Sequence, residues 1–272
     1  MQISLSSIIR ARLGKEARFI PGFLLRSLER IIRQDDLNAM LAAAHPAKGS
    51  EFSSRILAYL EISVEVQGLD KIPVDQPLIF ASNHPLGGLD GITLVSILGA
   101  HYGDDNIRVL VNDLLLNVEP LRDVFLPVNK FGSQGREASR LLQQALSNGK
   151  QLVMFPAGLV SRLHPDGRIL DLEWQKSFVS LALRHSRRII PIHFEALNSP
   201  RFYKTALWRK RLHIPFNLEQ VLLPSELVRA RRKHYRITFL PPVDPAELKD
   251  SGLTPAQIAA RIREFCYLKK NH

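Results

Sequence analysis

The sequence predicts an α/β fold: a mostly parallel central sheet flanked by helices, with an N-terminal helical extension. Three observations carry that expectation. Short apolar or alternating runs recur between helical patterns from about residue 62 to the end. Before that point, apolar positions repeat by threes and fours. The composition is globular: 272 residues, 45% hydrophobic and 23% charged, enough for one large domain or two small ones to bury a core.

In chain order, residues 1–66 read as helical. Ile8, Ile9 and Leu13, then Phe19, Phe23, Leu24, Leu28, Ile31 and Ile32, mark one apolar face. Pro21-Gly22 interrupts it and predicts a turn between two helices. Arg10, Arg12, Lys15, Arg18, Arg26, Arg30 and Arg33 punctuate the region. Two readings fit: a helical layer packed on the main domain, or a helix pair in a membrane interface with its arginines on phosphates. Ile62, Val64 and Val66 then alternate as a half-buried strand does. Residues 77–82 form a short apolar strand that runs into a glycine-rich loop and an apolar helix. Residues 108–111 and 125–128 are further strands. Residues 136–147 have helical spacing and stop at Asn148-Gly149. Residues 151–155 read as a buried strand, 174–184 as a helix, 189–194 and 235–240 as strands. Thr254 caps a closing helix through residue 268, with Pro255 at its first position. No linker composition divides the sheet region. The expected organisation is therefore a helical, possible interface segment at 1–66 and one α/β domain at 67–272.

The longest apolar stretch, residues 91–100, is half of what a membrane-crossing helix needs, about 20 residues. The first residues place their charges after the apolar positions, unlike a secretory leader. The expected location is cytoplasmic, peripheral on the inner face of the cell membrane. A single cysteine, Cys266, excludes an internal disulfide or a cysteine-based zinc cluster. The nine histidines show no paired ligand spacing, so no metal is expected. Lys and Arg exceed Asp and Glu by 37 to 26, and a net charge of +11 implies an anionic partner.

The stretch with most chemistry is Asn83-His84-Pro85-Leu86-Gly87-Gly88-Leu89-Asp90. A strand delivers a histidine onto a glycine-rich loop, and an aspartate follows six positions later. Open α/β sheets place their sites where strands end at the carboxyl edge. A histidine there can serve as general base near neutral pH, and an aspartate can fix its tautomer. The plain alternative is a loop histidine bonded to a carboxylate for structural reasons. No Gly-x-Ser-x-Gly elbow is present, so the substrate would bring its own nucleophile, a hydroxyl or an amine. Residues 130–136 lead into a helix with Lys130 and Arg136 flanking Gly132, an arrangement suited to an anion. Residues 155–162 are another strand-to-glycine turn, with Pro156, Gly158 and a basic end at Arg162. Ile190-Pro-Ile-His193 reads as a buried strand.

In order and spacing, these four blocks resemble those of the PlsC-like lysophospholipid acyltransferases. The resemblance covers about residues 78–195. The form His-Pro-Leu-Gly-Gly-Leu-Asp-Gly is similar to a hemolysin-like branch that includes acyltransferases making glycine and ornithine lipids. The resemblance implies an enzyme that moves a fatty acyl chain from acyl-coenzyme A or acyl carrier protein to a hydroxyl or amine of a lysophospholipid or amino-acid lipid. It needs no cofactor beyond that co-substrate. It implies His84 as base and Asp90 as its orienter. It implies Asn83, Gly132, Arg136, Pro156, Gly158 and Arg162 on the substrate side, with Arg136 on the acceptor's phosphate or carboxylate and Gly158 on the acceptor or oxyanion side. Two positions depart from the family pattern. Five residues, rather than four, separate His84 from Asp90, and the extra one falls on Gly87-Gly88, which can absorb it. Ala157 stands where the family usually has glutamate, which favours an acceptor other than lysophosphatidic acid.

From Arg201 to Arg236 the chain is dense in Lys and Arg against two acids, Glu219 and Glu226. Again two readings fit: a solvated face, or a membrane-surface patch with Phe202, Tyr203, Leu207, Trp208 and Phe216 dipping among headgroups. Acyl carrier protein could dock on the same patch. Outside the enzyme class, the charge would also suit a non-enzymatic membrane-surface or nucleic-acid-binding protein, but that reading gives His84 and Asp90 no task. Nucleic acid is not the expected partner.

Overall fold

A computed structural model describes residues 4–5, 21–112, 115–128 and 132–268. The apolar positions and arginines expected between residues 6 and 20, and the loop residues 129–131, lie outside these. The strands are β1 (Ser63–Gln67), β2 (Ile79–Ser82), β3 (Ile107–Val111), β4 (Phe125–Pro127), β5 (Gln151–Met154), β6 (Arg162–Leu163), β7 (Ile169–Leu170), β8 (Ile189–Glu195) and β9 (His234–Phe239). Seven of them form one sheet in the order β1-β9-β8-β2-β5-β3-β4, while β6 and β7 pair separately as an antiparallel hairpin. Every neighbour in the main sheet is parallel except β8 and β9. The α/β class and mostly parallel sheet expected from the sequence are what the chain forms.

The helices are α1 (Gly22–Ile32), α2 (Gln34–Ala44), α3 (Gly49–Tyr59), α4 (Gly88–Tyr102), α5 (Gly132–Ser147), α6 (Ser177–His185), α7 (Pro200–Arg211), α8 (Leu223–Arg229), α9 (Pro245–Asp250) and α10 (Pro255–Leu268). They cover both faces of the sheet, and strand alternation shows it. Phe80, Val153, Ile190 and Ile192 face one core with α2, α3 and α4. Ile79, Ala81, Leu152, Met154 and Ile189 face the other with α5, α6 and α10. A strand buried on both faces reads as a continuous apolar run, which is why β2, β5 and β8 were plain in the sequence. Helices α3 and α4 approach closely at Gly99, where an added Cβ would stand 2.6 Å from the Ser50 Cβ. Thr254 caps α10 as expected: its Oγ1 accepts from Gln257 N–H at 3.3 Å, and Gln257 Oε1 accepts from Thr254 N–H at 2.9 Å.

The division expected between residues 66 and 67 falls inside β1, which pairs with β9 in the main sheet. Leu37, Met40, Leu41, Phe52 and Ile56, all before that point, share one core with Phe80 and Ile190. Helices α7 and α8 and the β6–β7 hairpin, which the sequence reading left unassigned, build a lobe over one end of the sheet around Val160, Phe202, Tyr203 and Leu222. No helix among the described residues is long and apolar enough to cross a membrane.

Candidate active site

Strand β2 lies between β8 and β5 near the middle of the sheet, with all four residues buried. Its carboxyl end releases Asn83 and His84 into the loop that opens α4. The loop reverses at Gly87, whose φ of 85° and ψ of −123° no residue with a Cβ adopts comfortably. That turn brings Asp90, in the first turn of α4, back onto the residues before it. The Asp90 carboxylate accepts from Leu86 N–H at 2.9 Å and Gly87 N–H at 3.0 Å, and its Oδ2 stands 2.8 Å from His84 Nδ1. The five intervening residues therefore close into a loop that returns Asp90 to His84.

Asp90 is fully buried, whereas the His84 side chain is 18% exposed. Burial raises the Asp90 carboxyl above its ordinary value, opposed by His84 and by the Leu86 and Gly87 amides. The His84 ring lies against Phe155, with centroids 4.3 Å apart and planes 30° from parallel. With Nδ1 turned to Asp90, Nε2 is the nitrogen left for a substrate proton.

The other expected site residues divide. Asn83 is buried, and its amide bonds the backbone of one neighbour in both directions: Oδ1 accepts from Phe194 N–H at 2.6 Å and Nδ2 donates to Phe194 O at 3.0 Å. It thereby prolongs the β2–β8 pairing. Arg162 is also buried. Its guanidinium bonds Glu219 Oε1 at 2.8 Å and lies 5.3 Å from the centre of the Phe202 ring, so it ties the α7 lobe to the site loop instead of presenting a free charge. Gly158 has φ 67°, and its N–H donates to Phe155 O at 2.9 Å, so that amide is not free for an oxyanion. Pro156 O accepts from Gln175 N–H at 3.0 Å, which anchors the strand-to-glycine turn. Gly132 begins α5, and Arg136 is exposed in its first turn. Helix α5 follows β4, three positions from β2 in the sheet, about 14 Å at ordinary strand spacing. Arg136 thus lies at the start of a helix that leaves the same carboxyl edge of the sheet as the His84 loop. Phe202 and Tyr203, expected at a lipid surface, are buried instead, because they face the lobe's own core.

Two carboxylates take structural roles that the sequence reading did not give them. Asp171 is fully buried. Its Oδ1 accepts from Ser161 Oγ at 2.6 Å and from His84 N–H at 3.1 Å, and its Oδ2 accepts from Trp174 Nε1 at 2.9 Å. Its own N–H donates to Tyr267 Oη at 3.0 Å, and its carbonyl accepts from Arg263, so α10 is held to the back of the site. Glu219, also fully buried, takes Arg162 on one oxygen and Arg209, at 3.0 Å, on the other. Neither carries a local signal, since an aspartate or glutamate in a polar stretch reads as surface. Asn198 adds a further tie, donating to Pro85 O at 3.0 Å from the start of the α7 lobe. Burial, with Asp171 adding to it, pushes the Cys266 thiol far above its ordinary value, so no thiolate forms there near neutral pH. Among the described residues, no group of three His, Cys, Asp or Glu side chains converges to hold a metal.

A family model described as acyltransferase matches residues 8–272. Two relatives are named lyso-glycine lipid O-acyltransferase. The one from Phocaeicola vulgatus is 38% identical over 265 residues, covering 97% of this chain and 94% of its own. The one from Bacteroides thetaiotaomicron is 36% identical over 265 residues, covering 97% and 96%. The chain is also similar to the solved 1-acyl-sn-glycerophosphate (LPA) acyltransferase PlsC of Thermotoga maritima, with TM-score 0.49 and 16% identity over 96% of this chain and 85% of that one.

Proposed function

This chain belongs to the acyltransferase family, and from that premise we propose that it moves a fatty acyl chain from an acyl thioester to the hydroxyl of a lyso-amino-acid lipid, a lyso-glycine lipid first. His84 is the general base and Asp90 its orienting partner. The acceptor hydroxyl gives its proton to His84 Nε2 as its oxygen attacks the thioester carbonyl. The tetrahedral intermediate collapses, the C–S bond breaks, and the imidazolium returns the proton to the leaving thiolate. Product ester and free thiol leave, and no cofactor beyond the thioester is consumed. The observation that carries this reading is the buried Asp90 at 2.8 Å from His84 Nδ1, at the carboxyl end of a central parallel strand.

The acceptor follows from two supports: the relatives' names, and Ala157, which offers no side-chain polar group where the family's glutamate would stand. Arg136, with Gly132 at the same helix start, takes the acceptor's anionic group from the side. The donor rides on coenzyme A or on acyl carrier protein. The enzyme works at the surface of an anionic membrane, on the cytoplasmic side. Exposed Phe23 and Leu24 on α1, and Leu207, Trp208 and Phe216 near the exposed Lys210 and Arg211 in the chain, support that reading. The non-enzymatic alternative falls with family membership.

The test is thioester consumption by purified protein. Acyl-coenzyme A and acyl carrier protein are each offered with lyso-glycine lipid, lyso-ornithine lipid and lysophosphatidic acid, beside His84→Ala. Consumption that requires the lyso-glycine lipid and vanishes in the variant is the expected result. Consumption with lysophosphatidic acid alone would overturn the acceptor, and full activity in the variant would overturn the base.

A further inference from the structure

The structure holds a second concentration of chemistry apart from the His84 loop. Arg30 and Ile31 near the end of α1, Arg33 just after it, Arg201 at the start of α7, and Ser225 and Arg229 of α8 line one cleft of about 380 Å³. Four arginines thus line a common space. Arg33 Nε is 2.8 Å from Asp36 Oδ2, so its charge is already answered. The nearby Glu226 is turned away, accepting from Ser199 N–H and Ser199 Oγ, each at 2.7 Å. Arg30, Arg201 and Arg229 are exposed and make no ion pair among the described residues. Like charges gathered from three separate helices repel one another, and an anion in the cleft would offset that cost.

We infer that this cleft is a phosphate-binding site. One arginine already saturates a carboxylate with two parallel bonds, whereas a phosphate presents more oxygens and up to two charges to several guanidinium forks at once. The cleft is also joined to the catalytic loop. Helix α8 begins at Leu223, whose two methyls would lie 3.2 and 3.3 Å from a Cβ placed on Gly87. Arg229 stands at the far end of the same helix, about 9 Å along it. A phosphate held there sits within one long flexible arm of His84. Two sources at the enzyme's surface carry such a phosphate: the phosphopantetheine arm of the thioester donor, and the headgroup of a phospholipid in the membrane. This part rests on the acyltransferase reading; the binding of phosphate does not.

The experiment measures binding, with turnover recorded in parallel. By calorimetry, 4′-phosphopantetheine is compared with pantetheine. By co-sedimentation, phosphatidylcholine vesicles doped with phosphatidic acid are compared with vesicles doped to equal charge with oleic acid. The variants are Arg201→Gln with Arg229→Gln, the same pair changed to Lys, and Lys204→Gln, on α7 but outside the cleft. The expected result is a phosphate preference of about tenfold in at least one comparison. It is lost in the Gln pair, weakened in the Lys pair and kept in Lys204→Gln. Preference in solution assigns the cleft to the donor, and preference on vesicles assigns it to a headgroup. No preference in either comparison, or a preference untouched by the Gln pair, overturns the site. Phosphate preference without turnover for any substrate pair would overturn the catalytic reading and leave the cleft standing. Turnover without phosphate preference would overturn the cleft alone.

Discussion

His84 carries the proposed chemistry through one nitrogen, and everything around it fixes which one. Asp90 claims Nδ1 and Phe155 backs the ring, so Nε2 is left for the substrate. Removing the imidazole in His84→Ala should lower kcat by about 10²–10⁴-fold with an unchanged melting temperature. The pH dependence follows from Asp90. Burial raises its carboxyl above the ordinary value, so falling pH discharges it and withdraws its hold on His84. Accordingly, kcat/KM should rise with pH along an acid limb to which Asp90 contributes. Asp90→Asn removes that carboxyl, so the acid limb should change while the rate falls. A limb left in place would mean that Asp90 does not set it. Asp171 is a positioning residue, since it holds the His84 backbone and Ser161 rather than any reacting atom. Its carboxylate receives three donors, so in Asp171→Asn the new NH₂ must face one of them in either orientation. The expected cost is about 1–3 kcal/mol in stability, with kcat reduced more than KM.

At the scale of elements, the site depends on how a loop and a lobe are clamped together. The loop before α4 turns at Gly87 with a backbone that only glycine holds without strain, and Leu223 and Val160 close over the same point. Gly87→Ala should therefore destabilise by about 1–3 kcal/mol, and it should weaken catalysis further by moving Asp90 from His84. Gly88 has open space where a Cβ would go, so Gly88→Ala is the control that should keep activity. The lobe is clamped by Glu219, buried between Arg162 and Arg209. Glu219→Gln leaves the buried Arg162 and the half-buried Arg209 without a countercharge. A loss of about 3–5 kcal/mol is expected, read as a lower midpoint in chemical denaturation. A midpoint within error of wild type would mean that the triad contributes nothing to the lobe.

The whole molecule joins a net charge of +11 to an uneven apolar surface. Trp208 and Phe216 are 64% and 73% exposed, close in the chain to Arg209, Lys210 and Arg211. A protein of this kind should bind anionic vesicles more tightly than neutral ones, and added salt should weaken the binding. Trp208→Ser with Phe216→Ser should reduce vesicle binding while leaving the melting temperature unchanged. Equal binding to neutral and anionic vesicles would count against the electrostatic part of this surface.

Much of this protein was legible in the residues themselves, because the signals are local. The segments 79–81 and 189–192, buried on both faces, are apolar throughout. Thr254 before Pro255, with Gln257 three positions on, is a helix start whatever surrounds it. His84, two glycines and Asp90 lie within one short loop, so spacing alone could suggest that they meet. The sequence could not decide which polar side chains become interior. Asn83 looked like a ligand and became part of the β2–β8 pairing; Arg162 looked free and is neutralised by a glutamate 57 positions away. Phe202 and Tyr203 looked like lipid contacts and became the core of a lobe. Asp171, which holds His84 from behind, has no local signature. By itself, the sequence determined the sheet, the order of most elements and the loop that carries the His–Asp pair, since each follows from periodicity and backbone preference within a few residues. Only the tertiary structure decided which charges meet. A buried carboxylate is tolerated only where donors from distant segments converge, and that convergence is a property of the packing.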